Sequence, residues 1–372
     1  MKIPNGHEII QLFEQFSPKS YAMEGDKIGL QVGRLNKPCK RVMIALDVLE
    51  SVVDEAIKEQ VDLIIAHHPI IYRPLGAIVT DQPAGRLIEK LIKNDIAVYA
   101  AHTNLDVAAG GVNDMLANAL GLEKTDILVP TYKEELRKLV VFVPADHAES
   151  IREALGASGA GFIGNYSHCS FSQSGTGRFQ AEEEATPFIG ESGGLELVSE
   201  ERIETIYPVR IEKKVLTAMF KAHPYEEVAY DLYPLYNKGE SLGLGRIGYL
   251  PEAMTLEQFA RHTKEKLESG GVRVVGDLTR SVKKVAVLGG DGNKYWQDAK
   301  RRGADVYVTG DFYYHTAHDA DAEGLAIVDP GHNVEKIMKN GTAAVLKEKA
   351  TQQKYDVTFI SSTTQTDPFQ FV

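Results

Sequence analysis

Cysteine is scarce: the 372 residues include only Cys39 and Cys169. Two cysteines cannot build a disulfide framework, and they form neither a CxxC nor a zinc-finger spacing. A reducing compartment, the cytoplasm, is therefore expected. No apolar run approaches the roughly 18 residues of a membrane span, and Met1–His7 lacks the apolar segment of a secretion signal. Basic residues are outnumbered, 41 Lys and Arg against 52 Asp and Glu, giving a net charge of −11. That balance disfavours non-specific binding to nucleic acid or to an anionic membrane, so neither is an expected partner. There is no GxxxxGK[ST] P-loop and no GxSxG elbow, which removes support for P-loop phosphate binding and for serine hydrolysis. Gly243–Gly248 fits GxGxxG, but no clear strand precedes it and Pro251 prevents a helix from opening normally after it. It is rejected as a dinucleotide site.

What is present reads as a folded α/β chain long enough for two or three domains. Residues 41–121 alternate short apolar runs with amphipathic segments. Strands are expected near 42–48, 61–66 and 97–101, and helices at 50–60, 83–95 and 112–121, as in a parallel sheet. Residues 136–235 carry two tandem β-α-β units: strand 136–143, helix 146–156, strand 160–171, a Gly/Ser/Glu-rich loop 172–194, strand 203–211, helix 213–222 and strand 226–235. This is the pattern of a ferredoxin-like α+β module. Beyond 240 the alternation resumes, with a last helix expected at 333–348. The expected architecture is a two-part α/β body around a mixed or parallel sheet, residues 1–129 and 239–372, with an α+β domain, 130–238, inserted between them.

The residues that carry chemistry lie just after apolar strands. Leu63-Ile64-Ile65-Ala66 runs into His67-His68-Pro69. Adjacent strand residues face opposite sides, so both imidazoles reach one site only where the chain bends, and Pro69 supplies the bend. The next strand leads into His102-Thr103-Asn104-Leu105-Asp106. Parallel neighbours would bring these strand ends together. Asp106 can equally cap the turn before the following helix. Ile327-Val328-Asp329 leads into Gly331-His332-Asn333-Val334-Glu335, where His332 and Glu335 share a helix face at i and i+3. A first-turn Glu can also be a cap, which leaves His332 unexplained. Imidazole and carboxylate donors without thiolate suit Zn, Mn, Fe or Co, and five of them suit two ions better than one. Asp47, ending the first strand, can hold a ligand histidine in its tautomer. His315 and His318 share a face of the 313–322 helix, either toward the same cleft or toward solvent.

Together with Asp26-Lys27-Ile28-Gly29-Leu30-Gln31-Val32-Gly33, the His-His-Pro, the His102–Asp106 run and the Gly331-His332-x-x-Glu335 resemble the motifs of the NIF-three (NGG-one interacting factor three-like) family. Its members are often named type 2 homologues of GTP cyclohydrolase I. The resemblance covers roughly 1–125 and 240–372. The insert resembles a PII-like or CutA-like module, and His223-Pro224-Tyr225-Glu226-Glu227 fits its second half. The resemblance implies a dinuclear centre with His67, His68, Asp106, His332 and Glu335 as ligands. It implies two divalent transition-metal ions per chain, zinc first and Mn, Fe or Co as alternatives. It also implies a homohexameric ring. The expected function is a metal-dependent hydrolase acting on a small molecule through activated water, with His102 or His315 as the proton donor. The alternative is a regulatory metalloprotein whose PII-like module binds a ligand or partner.

Overall fold

The computed structural model describes residues 2–237 and 239–372. The chain divides into two compact units, one of residues 1–132 with 242–372 and one of residues 133–241.

The first unit begins with α1 (Gly6–Glu14), β1 (Gly29–Val32), β2 (Arg41–Ala45), α2 (Glu50–Lys58), β3 (Leu63–Ala66), α3 (Pro83–Lys93), β4 (Ala97–Ala100), α4 (Thr103–Val107), α5 (Val112–Ala119) and β5 (Glu123–Lys133). The second unit contributes β6 (Leu136–Pro144), α6 (Ala148–Ser158), β7 (Ser170–Gln180), β8 (Leu195–Pro208), α7 (Glu212–Ala222) and β9 (Tyr230–Pro234). The first unit then resumes with β10 (Ser241–Thr255), α8 (Leu256–Lys266), β11 (Arg273–Val275), β12 (Ser281–Asp291), α9 (Trp296–Arg301), β13 (Val306–Gly310), α10 (Tyr314–Ala322), β14 (Ala326–Asp329), α11 (Met338–Gln352) and β15 (Thr358–Ser361).

The body is built around two mixed sheets, ordered β1-β4-β3-β2-β15 and β11-β14-β13-β12-β10-β5. Strands β4, β3, β2 and β15 run parallel, as do β12, β13 and β14. Strand residues alternate between faces, and the core follows that alternation. Val42, Ile44, Leu63 and Ile65 from the first sheet join Val285, Val287, Val306 and Val308 from the second in one apolar cluster. Ile9, Phe13, Leu116, Phe259 and Leu346 from α1, α5, α8 and α11 complete it. Met43, Ala45, Ile64 and Ala66 face the other way, toward Val52 and Val53 of α2 and Leu91 of α3. Each fully buried Ile or Leu contributes about 1.5–3 kcal/mol. Such burial holds strands as short as β3 in place. Among the described residues no helix is long and apolar enough to cross a membrane.

The second unit has sheet order β7-β8-β6-β9, antiparallel throughout, with the β-α-β-β-α-β chain order of a ferredoxin-like module. Several boundaries differ from the sequence expectation, among them β8, expected at 203–211 and found at Leu195–Pro208. The strand expected at 160–171 lies instead at Ser170–Gln180, mostly within the 172–194 segment expected to be a loop. Its Ser, Gly and Gln residues lack an apolar alternation. It is a strand because it pairs with β8 from Ser170↔Thr205 to Gln180↔Leu195. The helix expected from 333 begins at Met338, and His332–Ile337 is a 3₁₀ helix before it.

Candidate metal centre

Strand β3 delivers the first two donors. The chain bends at residues 67 and 68. His67 and His68 still donate their backbone N–H groups to Ala45 and Leu46, at 3.0 and 2.9 Å. The bend brings both rings to one side, with centroids 5.0 Å apart. Neighbouring β4 ends at Ala100, and α4 starts just after it. His102 and Asp106 sit one helical turn apart, with Asp106 N–H donating to His102 O at 3.3 Å. His102 thereby comes within 5.3 Å of His67, ring to ring.

From the other sheet, β14 ends at Asp329 and a turn through Gly331, with φ 86°, opens the 3₁₀ helix. At three residues per turn, i and i+3 eclipse, so this tighter helix stacks His332 directly over Glu335. Their Nε2 and Oε2 atoms are 3.2 Å apart. Just before its end at Asp291, strand β12 carries Gly289-Gly290, which form a floor. A Cβ on Gly290 would stand 2.7 Å from Glu335 Oε1 and 3.3 Å from His332 Nε2.

The four imidazoles are oriented alike. Nδ1 of His67 faces Ala101 O at 2.9 Å, and Nδ1 of His68 faces Asp47 at 2.7 Å. Nδ1 of His102 faces Asp26 and Nδ1 of His332 faces Asp311, both at 2.8 Å. With each Nδ1 donating outward, each Nε2 lone pair is left for the centre. Glu335 Oε2 lies 3.6, 3.1 and 3.2 Å from Nε2 of His67, His68 and His332. Three overlapping trios have donor atoms close enough to share an ion: His67, Asp106 and Glu335; His68, His332 and Glu335; His67, His68 and His102.

Burial is deep where it matters. His67 is 0% exposed, Glu335 3% and Asp106 8%. His67 Nε2 and Asp106 Oδ1 are buried without any hydrogen-bond partner. Two orphaned buried donor atoms in one cluster are costly unless something binds them, and a divalent cation among N and O donors fits that need.

The electrostatics are mutual. Burial works against the Glu335 carboxylate, but the charge of His67 and the hydrogen bonds from His332 and His68 hold its pKa well below the usual range. Burial raises Asp106. It lowers His68, yet the bonds to Asp47 and Glu335 win and bring its pKa up to about 10. The bond to Glu335 raises His332 to about 9, against the opposing effect of burial. Protons on the imidazoles thus balance the buried carboxylates. A metal would replace them, because it binds only neutral imidazole.

A 740 Å³ cleft opens beside His68 and His332, with Asp47, Arg273, Thr366 and Phe369 in its walls. Phe371 lies against Gly270 and Gly271, where Cβ atoms would approach its ring to 2.4 and 2.5 Å. His315 stands apart. It sits on α10 with its ring edge-on to Tyr314, 5.3 Å between centroids, and belongs to none of the three trios.

The profile of the family described as Duf34/NIF3 (NGG1p interacting factor 3) matches residues 4–368. The chain belongs to the Duf34/NIF3 family. It is 62% identical over 371 residues to a Bacillus subtilis protein named GTP cyclohydrolase 1 type 2 homolog, covering 100% of both chains. A Halalkalibacterium halodurans protein of the same name is 59% identical, again over 100% of both. The crystal structure of a Bacillus cereus protein related to NIF3 superposes with a TM-score of 0.95 at 63% identity, covering 100% of each chain.

Several parts of this Duf34/NIF3 site escaped the sequence analysis. Asp26 lies in the Asp26–Gly33 motif and Asp311 directly follows β13, yet nothing local marks either as an Nδ1 acceptor. Asn113 is a further part with no local signal. It donates to Asp106 O at 2.9 Å and accepts from Gly289 N at 3.0 Å, tying α4 to the end of β12. The Gly-Gly pair directly after an apolar strand was the available signal for a close backbone approach.

Proposed function

We propose that the chain holds two divalent transition-metal ions, zinc first among candidates, and works as a metal-dependent hydrolase on a small molecule. One observation carries the reading: six N and O donors from both sheets converge around His67 Nε2 and Asp106 Oδ1, which are buried and unpartnered. His67, His68 and Glu335 each belong to two of the three trios, and Glu335 alone of these is a carboxylate, with two oxygens to offer, which makes it the candidate for the shared ligand. His102 is assigned as a sixth ligand rather than a free proton donor, because its ring faces His67 and Asp26 fixes its Nδ1. Bound divalent ions would supply Lewis-acid activation of water near neutral pH. The chain's own part is to hold neutral imidazoles in one tautomer and to shape the adjoining cleft. The name shared by the B. subtilis and H. halodurans relatives makes opening of a purine ring one reaction to test. The family resemblance supports two further parts of the proposal, assembly as a homohexameric ring and a PII-like role for the insert, and the scarcity of cysteine supports a cytoplasmic location.

The test is elemental analysis of purified protein, followed by turnover assays on nucleotides and cyclic amides before and after metal stripping. About two transition-metal ions per chain are expected, with turnover lost on stripping and restored on reloading. Protein that carries no metal after gentle purification would refute the assignment. Two metals with no turnover would favour a regulatory metalloprotein.

A further inference from the structure

The inserted unit holds a cavity of its own, 260 Å³, walled by the end of β7, the 185–188 loop and the turn before β9. Three aromatic rings stand in the wall, beside Ala181, Ala185, Pro187 and Ala229. Phe179 and Phe188 approach Tyr225 with ring centroids at 6.1 and 6.3 Å, in edge and tilted arrangements. His223 backs Tyr225 at 5.1 Å. Burial lowers the His223 pKa, and its Nε2 faces Phe142 O while Nδ1 accepts from Tyr225 N. It is therefore a neutral ring that brings no positive charge.

Carboxylates complete the lining. Glu200 accepts from the Tyr225 hydroxyl at 3.0 Å, and Glu226 and Glu227 stand beside it. Among the described residues, none of these three has a Lys or Arg in ion-pair contact. Arg178 also reaches the rim, where its guanidinium meets Thr176 O at 3.4 Å. Three carboxylates face one guanidinium, so the cavity is negative, and three rings contribute to its apolar surface.

Aromatic faces and edge carboxylates attract a cation whose charge is spread over methyl groups, because it loses little hydration on entering. A metal ion would ask for several convergent oxygens instead. An anion would be repelled, and a neutral apolar molecule would gain nothing from the carboxylates. We propose that this pocket is a binding site for a small methylated ammonium cation. The volume suits a group the size of trimethylammonium. The site is independent of the proposed metal centre, whose residues all lie in the other unit.

The experiment is isothermal titration calorimetry on the full-length, metal-loaded protein at constant ionic strength. The probes are choline chloride and its neutral isostere, 3,3-dimethyl-1-butanol. Choline is expected to bind about tenfold more tightly than the isostere. Glu200→Gln keeps shape and removes charge. Phe188→Leu keeps apolar bulk and removes the ring, at a position 54% exposed. Each should weaken choline about fivefold, with thermal melting and metal content unchanged. Equal affinity for the two probes, no binding of either, or choline affinity unaltered in both variants would overturn the proposal. Phe188→Ser repeats the test should the leucine variant fail to fold.

Discussion

The Thr366 hydroxyl donates to Asp47 Oδ2 at 2.6 Å, while Asp47 Oδ1 takes the Nδ1 proton of His68 at 2.7 Å. A residue in the C-terminal tail thus fixes the orientation of a candidate ligand that follows β3. Asp47→Asn should lower metal affinity about 10- to 100-fold, as is usual when the partner of a ligand histidine is lost. Thr366→Val should lower it less. Competition with a chromophoric chelator measures both. Affinity equal to wild type in the Asn variant would remove Asp47 from the site.

Gly290→Ala tests the floor of the centre. The residue has φ 67°, and a side chain there meets Glu335 Oε1 at 2.7 Å. The backbone strain alone should destabilise the fold by about 1–2 kcal/mol, which denaturant titration will read. Metal content should fall more sharply, because Glu335 must move. A variant that melts lower but keeps its full complement of metal would show that Glu335 is not a ligand.

Metal uptake should release protons. In the metal-stripped protein the raised pKa values of His68, about 10, and His332, about 9, keep both protonated at pH 7. Those protons stabilise the stripped fold fully below pH ~6.5, and the contribution fades as pH rises through 9 to 10. Metal binding runs the other way, strengthening as pH rises and the imidazoles lose their protons. Calorimetry in buffers of different ionisation enthalpy should show at least two protons released per fully loaded chain at pH 7, with His67, whose pKa is also raised, adding to those of His68 and His332. Zero release would contradict the assignment of these two histidines.

Replacing 134–240 with a short Gly/Ser linker should leave metal content unchanged. All candidate ligands lie in residues 67–106 and 332–335, within the other compact unit. Plasma emission analysis of a folded deletion variant provides the measurement. Loss of metal would show that the insert contributes to the site.

Much of the body was legible because its strands are short apolar runs closed by polar residues. Leu63–Ala66 before His-His-Pro is the clearest case. The convergence of His67, His68, His102 and Asp106 followed from a parallel pairing of β3 and β4, which the structure has. Less legible were features set by contacts distant in sequence. Ser170–Gln180 is a strand only because β8 pairs with it, and its own residues carry no period. The ends of helices were also obscure. The 3₁₀ turn of His332–Ile337 and the α-helix that follows have the same apolar spacing over one turn. Asp26 reaches His102 across 76 residues of sequence, a pairing no local pattern encodes.

Strand β15 lies against β2, at the edge of the first sheet opposite β1. Synthesis runs from the N-terminus, so β2 waits about 310 residues for this partner while the whole insert is made. Throughout that interval the sheet has an open edge able to template pairing with other chains. A product that stops before residue 332 keeps that edge and holds only four of the six donors. Incomplete copies would therefore be sticky and metal-poor together, which gives cellular quality control two ways to recognise them.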